Sequence, residues 1–144
     1  MIERACALLR AGEYTCVAID VHGDVYTSTQ RGVSPLIAWL DEGLDLRGGV
    51  AADKVIGNGA AHLYILLGVS AVHGCVMSEP AQATLRTCGI DARTDTLVEH
   101  IVNRAGDGFC PMELAVAGIT DSHEALAALR ARLAHLVEAS ASAR

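Results

Sequence analysis

The order of apolar and polar positions in the first third of the chain predicts a helix, a hairpin and a second helix. Residues 2–11 carry apolar side chains at helical spacing and stop before Gly12, a residue that often closes a helix. Two β-rich runs, 14–20 and 24–29, flank turn-forming residues and predict a β-hairpin. Ser34 followed by proline is typical of a helix start, and this second helix is predicted to end at Gly43.

The segment "VAADKVIGNGAAHLYILLG", residues 50–68, is apolar on most sides. Its length and composition predict one buried helix of about four to five turns. Gly57 and Gly59 lie in the middle of this segment, where each glycine costs roughly 1 kcal/mol relative to alanine. Their presence indicates that a strand or a ligand approaches the backbone closely there.

The remaining sequence predicts alternating strands and helices. A continuous apolar run over 69–77 is typical of an interior strand, and Ser78 then caps a helix that closes at Gly89. The segment "IDARTDT" predicts a strand, whereas "LVEHIVNR" fits either a strand or a helix. The final predicted elements are a short helix in "CPMELAVAG", an amphipathic helix capped by Ser122, and a frayed tail over 139–144.

Length and composition indicate one soluble domain. The chain has 144 residues, of which 51% are hydrophobic, so a single core is large enough without disulfides or metal. The net charge of -6 arises from 17 acidic and 11 basic residues without a long block of one sign, which argues against a nucleic-acid partner. No apolar run reaches about 18 residues, and no signal peptide is evident, so we expect no membrane association.

Cysteine and lysine usage adds two observations. The five cysteines are an odd number and widely spaced, which favours a reducing, cytoplasmic location over a disulfide framework. Every basic side chain is arginine except Lys54. The single lysine therefore marks a position for closer attention.

Lys54 lies in the polar part of the predicted 50–68 helix. Asp53 precedes it, and Asn58 follows at the i+4 spacing that places two side chains on one helical face. In a structural interpretation these are a helix cap, a lysine whose ammonium reaches solvent and an amide bonded to nearby backbone. In a functional interpretation Lys54 holds an anionic group, Asn58 fixes it, and Asp53 orients the lysine or acts as a base.

The stretch "NRAGDGFCPMEL" places Cys110 at a predicted helix start. Proline at the next position suits a first helical turn, where unpaired N–H groups favour a thiolate. Two glycines, Gly106 and Gly108, allow the preceding loop to turn its amides toward an anion, and Asn103 and Arg104 add donors. The alternatives are a structural capping cysteine and, for Glu113, a capping-box contact with the helix backbone.

Four motifs, "RGVSPL", "ADKVIGNGAA", "GCVMSEPA" and "NRAGDGFCPME", resemble the domain-of-unknown-function family 1893 over about residues 10–135. The order helix, hairpin, helix, strand, helix, strand, helix is similar to the cytidine deaminase-like fold of that family. The resemblance implies a three-layer α/β/α domain, with a mixed sheet opened by the β-hairpin, across 1–144. It also implies a homodimer, because deaminase-like domains commonly pair through the helices that flank the sheet.

The zinc-binding motifs of the deaminases are missing from the sequence. Those enzymes place His-x-Glu or Cys-x-Glu at one helix start and Pro-Cys-x-x-Cys at the next, whereas the corresponding segments here read "VAADKV" and "MSEPAQ". His62 lies about two turns beyond the first position, and Cys75 precedes the second helix. We therefore expect no metal and no cofactor, and we expect Asp53, Lys54 and Glu79 to line the former deaminase pocket.

Two functions follow from these residues. The first is a zinc-free binding module for a nucleotide or a similar anionic small molecule, with contacts from Lys54, Asn58, Glu79, Glu113 and the 103–108 loop. The second is an enzyme in which Cys110 is a nucleophile or sulfur carrier and Lys54 or Asp53 is its charge partner. The sequence leaves open whether the protein is an enzyme.

Overall fold

The computed structural model describes residues 1–102, 106, 108 and 110–142, with side chains described through residue 136. Helices and strands follow one another as α1 (Ile2–Ala11), β1 (Cys16–Ile19), β2 (Val25–Ser28), α2 (Ser34–Asp41), β3 (Val50–Ile56), α3 (Asn58–Leu67), β4 (Ala71–Ser78), α4 (Glu79–Thr87), β5 (Asp91–Val98), α5 (Pro111–Ala115) and α6 (Ser122–Ser142). None of these helices is long and apolar enough to cross a membrane.

The strands form one mixed sheet in the order β2-β1-β3-β4-β5. β1 runs antiparallel to both of its neighbours, β2 and β3. β3, β4 and β5 are parallel to one another. The sheet therefore consists of an antiparallel hairpin joined to a parallel unit, and the carboxyl ends of β3, β4 and β5 lie at the same edge.

Helices cover both faces of the sheet unequally. On one face α1 buries Ala5 and Leu9 against Val17 of β1 and Ala52 of β3. On the other face the larger core contains buried side chains from α2, α3, α4 and α6, including Leu36, Leu63, Leu85 and Leu129. The chain is thus an α/β protein with a five-stranded mixed sheet between helices.

The prediction of one helix over 50–68 is wrong. Residues Val50–Ile56 form β3, and the helix begins only at Asn58, after Gly57 in extended conformation. β3 pairs with β1 on one side and with β4 on the other, and four successive residues at its start are buried. A strand buried on both faces lacks the apolar–polar alternation that identifies strands in a sequence.

The other predicted elements are present. The hairpin, the helix with Pro35 in its first turn and the strand ending at Ser78 all form, and the Ser78 hydroxyl accepts the Ala81 N–H at 3.2 Å. The segment "LVEHIVNR", which fitted either a strand or a helix, begins as a strand, because Leu97 and Val98 complete β5.

The cap of the last helix differs from the prediction. Its first-turn N–H, that of Glu124, donates to the Asp121 carboxylate at 3.0 Å. Ser122 instead lies 2.9 Å from Nδ1 of His62 through its hydroxyl oxygen. α6 continues to Ser142, so it includes the first four positions of the predicted frayed tail, and residues 143–144 lie outside the described residues.

Candidate functional site

A cavity of about 770 Å³ opens at the carboxyl end of β3, next to the start of α3 and α5. This volume is within the range of small-molecule binding sites. Most of the lining is apolar and includes Val33, Val55, Ala60, Ile101, Met112, Leu133 and Leu136. The polar side chains in the described part of the lining are Thr15, Cys16, Arg31, Ser34, Asp53, Lys54, Cys110 and Glu113.

Asp53 is a buried carboxyl group in this cavity, with 8% of its surface exposed. Tyr64 of α3 donates its O–H to Oδ2 at 2.7 Å, and the Val55 N–H donates to Oδ1 at 3.2 Å. Burial raises the pKa of Asp53 to about 7, and hydrogen bonds from Tyr64 and from the Val55 and Lys54 backbone only partly oppose this increase. The carboxyl group therefore takes up a proton at much higher pH than an exposed aspartate does.

Cys16 faces Asp53 across the β1–β3 ladder. Its thiol is almost fully buried, and burial raises the pKa of Cys16, with a further increase from the neighbouring Asp53 carboxylate. The Cys16 sulfur is consequently a protonated, unreactive part of the cavity wall at neutral pH.

Lys54 and Val55 are both exposed, so the alternation of buried and exposed side chains is interrupted at the end of β3. The Lys54 N–H donates to the Thr15 carbonyl at 3.0 Å, which holds this part of the strand to the segment before β1. Arg31, in the loop before α2, is exposed and lines the same cavity. Within the described residues, neither Lys54 nor Arg31 has a carboxylate within ion-pair distance.

Glu113 caps the start of α3 from a different helix. The Asn58 N–H donates to its Oε2 at 2.9 Å, so an internal carboxylate occupies the N-terminal end of α3. A Cβ atom on Gly57 would lie 2.7 Å from Oε1 of Glu113 and 3.2 Å from a side-chain carbon of Ile101, so the Glu113 carboxylate would have to shift to admit a larger residue. Oε1 is buried, and no donor from the described residues reaches it. Glu113 thus lines the cavity, but it caps α3 rather than making a capping-box contact in its own helix.

The two glycines at the start of α3 do permit close approach, but the partners are helical side chains. Besides Glu113 at Gly57, Leu129 of α6 packs on Gly59, where a Cβ atom would lie 3.1 Å from a Leu129 methyl carbon. The groups that approach Gly57 and Gly59 closely therefore belong to α5 and α6, whereas the sequence predicted a strand or a ligand.

Asn58 and Glu79 do not line the cavity. The prediction that Asp53, Lys54 and Asn58 lie together assumed that all three are on one helix. In the structure Asp53 and Lys54 lie on β3, and Asn58 begins α3. The Asn58 amide oxygen accepts the Thr84 hydroxyl of α4 at 2.7 Å, so this side chain joins two helices. Glu79 is exposed at the start of α4.

Cys110 is the N-cap residue of α5 and lines the same cavity as Asp53 and Lys54. Its N–H donates to the Ile101 carbonyl at 3.0 Å, and its carbonyl accepts the Leu114 N–H at 3.1 Å. In the preceding loop, Gly106 has a positive φ of 76°, and neither Gly106 nor Gly108 lines the cavity. Asn103 and Arg104 lie outside the described residues.

The corrected start of α3 changes the comparison with the zinc deaminases. The helix opens with "NGAAH" after Gly57, not with "VAADKV", and His62 is buried against Ser122. Across residues 1–102, 106, 108 and 110–136, no three His, Cys, Asp or Glu side chains are arranged to hold a metal ion.

Comparison with known proteins identifies the family. Residues 4–133 match the family described as "Domain of unknown function (DUF1893)". The chain belongs to the DUF1893 family. A search of curated proteins finds no match to this DUF1893 domain.

The fold of this DUF1893 domain is also found in a solved structure. The crystal structure of a DUF1893 family protein from Thermotoga maritima superposes with a TM-score of 0.80 and 21% sequence identity. The match covers 92% of this chain and 88% of the other. At this level of identity the similarity shows a shared fold.

Cys16, Thr15 and Tyr64 are site residues that the sequence analysis missed. Cys16 and Thr15 reach the cavity only because β1 pairs with β3, and Tyr64 reaches Asp53 only because α3 folds back along β3. The β-rich run over residues 14–20 was the available signal for the first two, but it does not show which strand is the neighbour.

Proposed function

We propose that the cavity binds a nucleotide or a similar anionic small molecule without zinc. The observation that supports this proposal is the pair of exposed cations, Lys54 and Arg31, which line a mostly apolar cavity without a carboxylate partner among the described residues. An apolar wall suits a heterocyclic ring, and the two cations suit a phosphate or carboxylate group. The anionic group is expected at Lys54 and Arg31 rather than at the α3 N-terminus, because Glu113 already occupies that end.

We retain the cytidine deaminase-like classification as part of this proposal. The described topology supports it with a β-hairpin, an antiparallel β1, and the parallel strands β3, β4 and β5 connected by helices. We also propose a cytoplasmic location. All five cysteines lie within the described residues and are free, as is usual in a reducing compartment. A homodimer belongs to the same resemblance-based set of proposals.

Binding is tested by thermal and urea unfolding of the protein with a panel of nucleoside mono-, di- and triphosphates. A ligand at 100 times its Kd stabilises the folded state by about 2.7 kcal/mol. Loss of one charged hydrogen bond of about 2 kcal/mol weakens binding roughly 30-fold, so Lys54→Ala is expected to reduce the stabilisation to below about 1 kcal/mol. Lys54→Arg keeps the positive charge and should retain most of the effect.

The matched control is Arg4→Ala, which removes one positive charge from α1 on the opposite face of the sheet. This variant should be stabilised by the same ligand as strongly as the unmodified protein. Equal stabilisation of Lys54→Ala and the unmodified protein would contradict the assignment of Lys54, and a panel without any stabilising member would contradict the nucleotide proposal.

A second candidate function uses Cys110 as a nucleophile or sulfur carrier. Its support is that Cys110 lies at a helix start and shares the cavity with Asp53 and Lys54. This proposal predicts that iodoacetamide alkylates Cys110 faster than the more exposed Cys88 at neutral pH. Peptide mass spectrometry can measure both rates in the same sample. Alkylation of Cys110 at the rate of Cys88 or more slowly would contradict thiol catalysis.

A further inference from the structure

Among the described residues, β5 is an edge strand with no strand on its outer side. It ends the strand order, and the described elements that pack on it most extensively are β4 and α4. Its eight residues, Asp91–Val98, include no proline and no glycine. An edge strand of this length presents a row of N–H and C=O groups to which another strand can pair.

The ladder with β4 determines which backbone groups of β5 point outward. The Asp91 N–H donates to the Ser70 carbonyl at 3.1 Å, so Asp91 faces β4. Alternate residues of a strand bond to the same neighbour, and Ala92 and Thr94 therefore direct their backbone groups away from the sheet. The Thr96 carbonyl accepts the Thr94 hydroxyl at 3.0 Å, which agrees with an outward position for this group as well.

We propose that a second copy of this chain pairs with β5 in antiparallel orientation, with a two-fold axis at Thr94. In this register Thr94 bonds to the partner's Thr94, and Ala92 lies opposite the partner's Thr96. Both are pairs of outward-facing residues. The Ala92 carbonyl accepts the Arg86 guanidinium at 3.4 Å and the Thr96 carbonyl accepts the Thr94 hydroxyl at 3.0 Å, and in the dimer both carbonyls exchange these side-chain donors for N–H groups of the partner strand. The two sheets would then form one continuous sheet across the dimer, an interface that differs from the pairing through flanking helices implied by the deaminase-like resemblance.

The charges on β5 are complementary in this register. Arg93 and Asp95 are alternate residues on one face of the strand, and each is about half exposed. With the axis at Thr94, Arg93 lies opposite the partner's Asp95 in a non-hydrogen-bonded pair, the type that brings side chains closest. Two-fold symmetry generates the same pair twice.

The neighbouring symmetric registers place like charges opposite each other. An axis at Arg93 opposes the two copies of Arg93 and sets Asp91 against the partner's Asp95. An axis at Asp95 opposes the two copies of Asp95. Like charges directly opposite each other are destabilising. An axis at Ala92 also sets Arg93 opposite the partner's Asp91, but it pairs only residues 91–93 of β5, whereas the Thr94 axis pairs residues 91–97. Charge complementarity and the length of the paired segment together favour the Thr94 axis.

Side chains of the same subunit also contact these two residues. Arg93 pairs with Asp91 at 2.8 Å, and Asp95 lies 3.2 Å from His73 and 3.7 Å from Arg10. The Arg93–Asp91 and Arg10–Asp95 pairs are about half exposed and therefore weak. The His73 side chain is largely buried, but Asp95 itself is half exposed, so Arg93 and Asp95 remain able to contact a second chain. Charged side chains on an edge strand also discourage pairing in many proteins, and a monomer is the outcome that would follow from that role.

The oligomeric state can be measured by size-exclusion chromatography with light scattering over a range of protein concentrations. We expect the full chain to have twice the monomer mass. Arg93→Asp alone should weaken dimerisation by about tenfold or more, because it opposes two aspartates twice across the axis. Combining Arg93→Asp with Asp95→Arg should restore the dimer, since the two charges are exchanged but remain complementary.

Glu13→Arg is the control, because it changes a charge on an exposed residue before β1, with β3 and β4 between that strand and β5. It should leave the dimer unchanged. Amide hydrogen exchange on the unmodified protein gives a readout that does not depend on variants, because the N–H groups of Ala92 and Thr94 should exchange slowly only when the dimer is populated. A monomer at every concentration, a dimer insensitive to Arg93→Asp, or a double variant that stays monomeric would each overturn the proposal.

Discussion

Asp53→Asn is expected to become progressively more stable than the unmodified protein as the pH rises from 4 to 8. The pKa of Asp53 is about 7 in the folded chain and near its ordinary value of 3.8 in the unfolded chain. Between these values the folded state binds a proton that the unfolded state has released, so the stability of the unmodified protein falls as the pH rises. A shift of about 3 pKa units corresponds to about 4 kcal/mol.

The asparagine side chain has nearly the shape of the carboxyl group and cannot ionise. It can still accept the Val55 N–H and pair with the Tyr64 hydroxyl, the two partners of Asp53. Urea unfolding at several pH values measures the stability difference between the two proteins. A difference that does not change with pH would show that the cavity around Asp53 is more hydrated than its burial indicates.

Asp41→Asn is a control of opposite sign. A hydrogen bond from Arg130 lowers the pKa of Asp41 in the folded protein. The unmodified protein therefore gains stability from Asp41 as the pH rises, and the Asp41→Asn variant should lose relative stability toward neutral pH. The effect is expected to be small, because this ion pair is on the surface.

Gly49→Ala is expected to lower the free energy of unfolding by about 3 kcal/mol. Gly49 precedes β3, and a Cβ atom there would lie 2.5 Å from the Ile19 carbonyl oxygen and 3.0 Å from the Leu46 carbonyl oxygen. Both contacts are with backbone, so no side chain can rotate to relieve them. The backbone of Gly49 is itself held by hydrogen bonds to Leu46 and Ser70, each 2.8 Å long.

Gly89→Ala separates this steric effect from a purely conformational one. Gly89 has a φ of 78°, but its Cβ position is open, with no atom within 4 Å. Alanine at such a position costs about 1 kcal/mol through backbone conformation alone. Urea unfolding of the two variants should therefore rank Gly49→Ala as clearly the less stable. The reverse order would mean that the segment before β3 adjusts easily.

Local sequence signals were sufficient where an element has one apolar face or a clear cap. The β-hairpin, the proline-initiated α2 and the Ser78 cap are of this kind. The signals failed at β3, because a central strand between β1 and β4 is buried on both faces and its apolar run merges with that of α3. Gly57, the N-cap of α3, was the one local residue that marked the boundary.

The same error explains why Asn58 was misplaced. Asn58 was included because of helical spacing from Lys54, and that spacing has no meaning across a strand–helix junction. Lys54 was selected as the single lysine and Cys110 by its predicted place at a helix start, and both line the cavity together with Asp53. The contact between Glu113 and Asn58 spans 55 positions in the sequence, so only the tertiary structure reveals it.

An anionic small molecule in the cavity shared by Lys54 and Cys110 would cover the Cys110 thiol. This can be tested by the alkylation rate of Cys110 with and without a stabilising nucleotide, with the exposed Cys88 in the same sample as the reference. We expect the nucleotide to slow alkylation of Cys110 several-fold, to leave Cys88 unaffected, and to lose this protection in Lys54→Ala. Stabilisation by a nucleotide without any protection of Cys110 would place the ligand elsewhere and contradict binding in this cavity.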